Sequence, residues 1–447
     1  MWVKTMKSKG KVIDESSSRK SLRHATKGFI VASLALISLS SCALFGRYIL
    51  FADGAYMTGM IGQTQNFFIN TVEWNRSASY VITQFLPVAI SNNMYPSLST
   101  ISLAYGIGCI IPALILLISS IKKFDNAGIG KFFQLTIPVV FGIGLLICVS
   151  TSLFGAAIMF WIFTSFYVKH DLSGVSSLSI FVIFGLSSLF GDSYILFAPS
   201  FFLLAFFHFR TSNKFKRISL VSGVVLGVSI NLANFLQRSS GVTAGRASNN
   251  AVSLRMIVQN DVFVMSIFAL FFLATSALVQ KKYLRNTFIS ISLALFLGAL
   301  YVGPPSGHMI FQSRYVLAIF LSACCAALAL PIGRSFFAKL ELQKNDRLIV
   351  LSSAMAVIMQ IQILIPYSEF LRTVESEANG CKGVKAFETI TLSPKAGLYV
   401  WDYTNPALSR FLWRNSEGCL IQNRDPNLWQ PFVPGDTDPF QRQLYWD

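Results

Sequence analysis

The chain has 447 residues, 53% of them hydrophobic and only 13% charged, with a mean hydropathy of +0.56. Soluble domains carry roughly 25% charged residues, so this chain cannot keep a water-facing surface polar. That excludes a soluble enzyme, a disordered chain and a coiled coil, and leaves lipid as the solvent. The net charge of +17 would suggest nucleic acid in a soluble protein. In a membrane protein it can instead record orientation, because Lys and Arg collect in cytoplasmic loops.

Residues 1–27 form a basic tail holding Lys4, Lys7, Lys9, Lys11, Arg19, Lys20, Arg23 and Lys27, so the N-terminus is expected in the cytoplasm. A spanning helix needs about 20 mostly apolar residues. Eleven segments are read as spans: 28–51, 97–121, 132–150, 152–168, 174–191, 193–209, 218–236, 262–280, 287–303, 315–333 and 347–366. The expectation is an all-α polytopic membrane protein with a transmembrane domain over 28–366, the N-terminus inside and the C-terminus outside.

The first outer loop, 52–96, opens with Asp53-Gly54-Ala55-Tyr56 directly after the first span. Phe67, Phe68, Val72 and Trp74 recur at mixed helical spacing, and Glu73 and Arg76, three apart, share a helix face. Tyr80–Ile90 is apolar but too short to span, and Pro87 and Asn92-Asn93 are read as bounding it. This loop is therefore expected to hold two helices lying along the membrane surface. Further along, Gly191-Asp192-Ser193-Tyr194 makes an outer turn, and 237–261 is a long outer segment with Arg238, Arg246, Arg255 and Asp261. Residues 303–314 run through Gly303-Pro304-Pro305-Ser306-Gly307-His308 and lead into Ser313-Arg314-Tyr315.

The C-terminal tail, 367–447, changes composition. Trp401, Trp413, Trp429 and Trp446 fall here, with turn pairs such as Asn405-Pro406 and Pro434-Gly435. It is expected to fold as a small periplasmic cap. Cys381 and Cys419 form an even pair in an oxidising compartment, which suggests a disulfide. Cys42, Cys109, Cys148, Cys324 and Cys325 lie within spans, where Cys behaves as a small hydrophobe.

Inner loops hold Lys122, Lys123, Lys131, Lys169, Arg210, Lys214, Lys216, Arg217, Lys281, Lys282, Arg285, Arg334, Lys339, Lys344 and Arg347. With the tail and the inner acids they account for the whole +17, and the outer segments sum to zero. The charge is thus a record of orientation, and no nucleic-acid partner is needed. Between residue 28 and the tail at 367 the outer basic residues are Arg47, Arg76, Arg238, Arg246, Arg255 and Arg314, and none is Lys. Arginine binds phosphate with a planar fork and stays charged near lipid. It also anchors helix ends at little cost. Asp53 is a candidate general base just outside the bilayer, with a helix-capping role as the simpler reading. Asp192 is a candidate second acid, with a turn role as its alternative. Tyr56, Glu73, Arg76, His308 and Tyr315 are candidate substrate contacts. There is no phosphate-binding Gly-x-x-x-x-Gly-Lys-Ser/Thr loop and no Cys/His metal cluster, and the middles of the spans are nearly uncharged. No cofactor is expected, and a divalent cation is left open.

This layout resembles the membrane-embedded glycosyltransferases of the C-type (GT-C) fold, and most of all their bacterial O-antigen-modifying, serotype-converting subgroup. Asp53 at the end of the first span, followed by 54–96, matches the family's catalytic aspartate and its outer loop with two surface helices. Ser313-Arg314-Tyr315-Val316-Leu317 is similar to the Arg-Tyr-Leu-Leu-Pro that opens a late span in such enzymes, with Ile319 where proline is expected. The second acidic residue of the family, in the turn after the third span, is absent from 150–155, and Asp192 is the candidate stand-in. The resemblance implies a multi-pass protein of the bacterial inner membrane with its active site facing the periplasm. It implies transfer of a sugar from a polyprenyl-phosphate carrier to a cell-envelope polysaccharide or lipid-linked acceptor. Arg314, Arg238, Arg246 and Arg255 would hold the donor phosphate. The alternatives are an O-antigen or capsule polymerase, which also uses outer arginines, and a lipid-linked oligosaccharide flippase, which would not be an enzyme.

Overall fold

The computed structural model describes residues 15–239, 261–302, 315–386, 389–399 and 408–422. Within these it is interrupted at 52, 68–70, 94–95, 146–149, 170–171, 211, 278, 280, 332, 334–335, 338–345, 410 and 414–417. Among the described residues there are thirteen α-helices and one two-stranded sheet. The helices are α1 (Glu15–Phe45), α2 (Asp53–Thr64), α3 (Ser77–Asn93), α4 (Leu98–Asn126), α5 (Lys131–Gly144), α6 (Thr151–Tyr167), α7 (Ser177–Leu186), α8 (Ser193–Leu203), α9 (Lys214–Ser239), α10 (Asp261–Ser276), α11 (Lys282–Val302), α12 (Val316–Ala329) and α13 (Asp346–Asn379).

Each of the eleven apolar segments read from sequence coincides with a helix, but the lengths differ. Five helical segments are long and apolar enough to cross a membrane: Lys27–Phe45 of α1, Leu98–Asn126, Lys214–Gln237, Lys282–Val302 and Asp346–Asn379. Six others are apolar but only 10–17 residues long. At 1.5 Å per residue these reach about 15–25 Å, short of a hydrocarbon core of about 30 Å. Hydropathy counts apolar residues and is blind to where the helix stops. The segment 174–191, for example, is α-helical only from Ser177 to Leu186 and tightens into a 3₁₀ turn at Ser187–Phe190, before the break at Gly191 where the sequence places the turn. At the other extreme, α1 begins at Glu15, well before its apolar stretch.

Helix starts follow local chemistry. Ser97 accepts the Thr100 amide (3.3 Å) and opens α4, and Ser176 accepts the Ser179 amide (3.0 Å) and opens α7. Pro87 departs from its expected boundary role, because it lies inside α3. It leaves the carbonyl four residues earlier, that of Thr83, without its helical donor. Gly108 of α4 comes so near that carbonyl that an added Cβ would sit 2.0 Å from its oxygen. The proline is tolerated where a neighbouring backbone covers the opened turn.

The helices alternate in direction, and cross-contacts separate two ends. At one end Lys123 donates to Ser165 (2.6 Å) and lies over the Trp161 ring, His208 meets the Lys169 carbonyl (2.9 Å), and Lys216 donates to the carbonyls of Leu172 and Ser173. Phe124, Phe133, Phe160 and Tyr167 stack together beneath this basic end. The opposite end gathers the α1–α2 turn, α3, the α7–α8 turn and the far end of α13. Between them the core is apolar, and helix faces turned outward carry large exposed hydrophobics such as Phe85, Ile115, Phe271 and Ile365. Such a surface suits lipid.

At 34 residues, α13 is about 51 Å long and overshoots the bilayer core. Its last turns carry a small cap. Strands β1 (Gly383–Ala386) and β2 (Cys419–Gln422) pair in parallel, and Cys381 is joined to Cys419 by a disulfide. Asn379 donates to the Leu412 carbonyl (2.9 Å), Trp413 donates to the Cys419 carbonyl (3.0 Å), and Lys385 pairs with Glu377. Tyr399 packs edge-on against Tyr367 of α13, where burial pushes its phenol pKa up.

Candidate functional site

The α7–α8 turn is shaped by one glycine. Gly191 adopts φ 111°, a backbone region that favours glycine, and reverses the chain so that Asp192 immediately precedes α8. In that position a carboxylate would ordinarily cap the helix. The Asp192 side chain makes no such bond. Its Oδ1 accepts from Asn75 (2.8 Å), and its Oδ2 is ion-paired with the Arg76 guanidinium. Gly191 also makes room for the arginine, since a Cβ there would lie 3.2 Å from Arg76 Cγ.

The network runs deeper. The Asn75 amide also donates to Asn231 Oδ1 (2.8 Å) in the apolar middle of α9. Asn231 in turn donates to the carbonyls of Ser188 (3.3 Å) and Gly227 (3.1 Å). Ser79 at the start of α3 donates to the Phe190 carbonyl (2.8 Å), and Trp74 donates to Gln237 of α9 (3.0 Å). Asn75, Arg76, Ser79 and Asn231 are all buried. Buried polar groups require such partners, and here the partners come from three separate stretches of chain. The segment between α1 and α4 is thereby bound to the α7–α8 turn and to α9. Gly155 of α6 completes the packing, with a would-be Cβ 2.5 Å from the Phe190 carbonyl.

Asp53 is the first residue of α2, at the same end of the bundle. Its placement depends on Gly54, whose would-be Cβ falls 1.6 Å from the Ile49 carbonyl oxygen. Only glycine permits that approach. The turn is held from two further sides: Thr58 donates to the Gly54 carbonyl (2.7 Å), and Tyr105 of α4 donates to Met57 Sδ (3.1 Å). Gln65, past the end of α2, donates to the Ser91 carbonyl of α3 (2.5 Å).

Of the other expected site residues, Arg76 is brought to Asp192, Tyr315 immediately precedes α12 and is half-buried, and Arg238 lies on the last turn of α9. The side chains of Asp53, Tyr56, Glu73 and Arg238 lie outside the described set, as do residues Arg246, Arg255, His308 and Arg314 altogether. Arg47 has a left-handed backbone (φ 57°), gives its carbonyl to Tyr367 (3.2 Å) and approaches Glu375 at 3.9 Å. A cleft of about 180 Å³ opens beside it between α1 and α4, lined in part by Phe45, Ser99, Ser102 and Leu103. That is smaller than the roughly 300–1,000 Å³ of a drug-sized ligand pocket. Among the described residues, no three His, Cys, Asp or Glu side chains come together as a metal site needs.

Sequence reasoning overlooked Asn75, Ser79 and Asn231. A signal existed for Asn231: with Asn234 it is an amide in the middle of an apolar span, where polar groups are costly and carry a purpose. No protein-family model matches the chain, and no curated protein and no solved structure matches it.

Proposed function

We propose that this chain is a multi-pass inner-membrane glycosyltransferase of the C-type architecture, with the basic end in the cytoplasm and the Asp192 end in the periplasm. It would move a sugar from a polyprenyl-phosphate carrier to a cell-envelope polysaccharide or lipid-linked acceptor. The observation that carries this reading is the buried Asp192–Arg76–Asn75–Asn231 network. It fastens an outer loop that starts at Asp53 onto the bundle, at the end opposite the lysines. Such fastening fixes the geometry that transfer between two bound substrates needs.

In this mechanism Asp53 takes the proton of the acceptor hydroxyl. The acceptor oxygen bonds to the anomeric carbon, the bond from that carbon to the phosphate oxygen breaks, and the lipid phosphate leaves with the electron pair. Arg314, with one of Arg238, Arg246 or Arg255, stabilises the charge that develops on that phosphate. Asp192 is assigned a positioning role, because both its oxygens are already engaged by Asn75 and Arg76.

The test is transfer of radiolabelled sugar from a polyprenyl-phosphate donor in membranes containing the chain. Asp53→Asn should lower the rate by about 10²–10⁴, the usual share of a general base, with the melting temperature unchanged. Full activity in that variant refutes the assignment.

A further inference from the structure

The basic end holds a second feature that plays no part in sugar transfer. A cavity of about 380 Å³ opens between α1 and α13, lined by Lys27, Gly28, Ile30, Val31, Asp346, Arg347 and Val350. Both walls belong to helices long and apolar enough to cross a membrane, and the apolar part of α1 begins at Lys27. The cavity therefore lies where a hydrocarbon core meets its headgroup layer. Ile30 and Val350 are about half exposed and face outward along its sides. Gly28 forms its floor, pressed so closely on the neighbouring helices that a Cβ would lie 2.7 Å from Ile349 and 2.5 Å from Gln134 Oε1.

Its charges are distinctive. Lys27 and Arg347 are both exposed. Among the described residues neither forms an ion pair or a side-chain hydrogen bond, although Asp346 shares the same lining. Among the described lining residues, two cations and one carboxylate leave one positive charge in excess.

We propose that this cavity seats one anionic phospholipid of the surrounding leaflet, of the phosphatidylglycerol type. Its phosphodiester, carrying a single negative charge, matches the single excess positive charge and lies between Lys27 and Arg347. Its acyl chains follow Ile30, Val31 and Val350 into the bilayer. Basic pockets between membrane helices on the cytoplasmic side bind acidic headgroups in this way. A choline headgroup would place a third cation beside the two already there, so phosphatidylcholine is disfavoured. The bound lipid would tie the first span to the last at the level where both enter the membrane.

The experiment uses the full chain, purified in detergent and delipidated, then titrated by native mass spectrometry with phosphatidylglycerol, with phosphatidylcholine and with glycerol 3-phosphate. One phosphatidylglycerol per chain should be retained, more tightly than phosphatidylcholine, with no adduct from glycerol 3-phosphate. Each surface cation contributes about 1 kcal/mol to such binding, so the double variant Lys27→Gln/Arg347→Gln should bind roughly thirty-fold more weakly. The charge-keeping exchange Lys27→Arg/Arg347→Lys should retain the lipid and shows that loss is not misfolding. Equal retention of phosphatidylcholine, binding of glycerol 3-phosphate by itself, or undiminished binding by the glutamine variant overturns the proposal. None of these readouts involves sugar transfer, so the lipid site and the transferase reading stand or fall separately.

Discussion

Arg76 and Asp192 lie 116 positions apart in the chain and form an ion pair at the end of the bundle away from Lys123, Lys169 and Lys216. The arginine is nearly enclosed, whereas the aspartate side chain keeps 30% of its surface exposed. A pair so placed contributes less to net stability than to specificity, because desolvation offsets much of the attraction. What it specifies is which turn receives the first outer loop.

Removing one partner leaves the other charge poorly solvated. A fully buried pair loses about 3–5 kcal/mol on such a change. Given the exposure of Asp192, Arg76→Gln should cost about 2 kcal/mol. The double variant Arg76→Gln/Asp192→Asn should cost less than the sum of the two single changes. Thermal unfolding in detergent measures all three, and strict additivity would show that the two side chains are uncoupled.

The same pair separates a positioning role from a chemical one. Asp192→Asn keeps one acceptor oxygen for Asn75 and loses the charge together with the acceptor that faces Arg76. Transfer should fall no further than about a tenth of wild type, against the 10²–10⁴ loss of a general base at Asp53. Equal losses at both positions would return Asp192 to the chemistry itself.

Gly191 carries two demands at once, a φ of 111° and the space taken by Arg76. Gly191→Ala should destabilise by about 1–3 kcal/mol through backbone strain. Gly174, with nothing within 4 Å of its would-be Cβ, is the control, and Gly174→Ala should change stability by less than about 0.5 kcal/mol.

Gly108→Ala should also be costly, by about 1–3 kcal/mol of overpacking, because its Cβ would fall 2.0 Å from the Thr83 carbonyl oxygen. The damage should appear locally, as faster proteolysis within α3. Unchanged cleavage there would mean that α3 does not depend on its contact with α4.

The cap offers a test of side as well as of strength. The Cys381–Cys419 bridge spans 38 positions, and closing a loop of that size stabilises by about 4 kcal/mol in the chain-entropy model. Cys381→Ser/Cys419→Ser should expose 380–422 to protease while leaving the helices intact. In whole cells a membrane-impermeant reductant should open the bridge if the cap is periplasmic. Protection from that reductant would reverse the orientation proposed for the chain.

Much of this molecule is legible in one dimension. Apolar runs mark eleven of the thirteen described helices, since a lipid solvent imposes hydrophobicity on every face turned to it. The placement of Lys and Arg foretold a basic end, where the structure brings Lys123, Lys169 and Lys216 together. Two tail cysteines in a segment rich in tryptophan pointed to a bridged cap. These signals are local, or depend on composition alone. Helix length was less legible, because α7 gives way to a 3₁₀ turn at Ser187 inside a run that hydropathy reads as one span, and Pro87 fails to end a helix because Gly108 shelters the carbonyl it leaves open. The site was legible only in part. Asp192, Arg76 and Asn231 could each be singled out as polar residues in an apolar chain, but their association could not. A buried charge announces that it needs a partner, and no periodicity carries the partner's address. Only packing α9 and the turn that leads into α3 against the α7–α8 turn brings Asn75 and Arg76 to one carboxylate and Asn231 to Asn75.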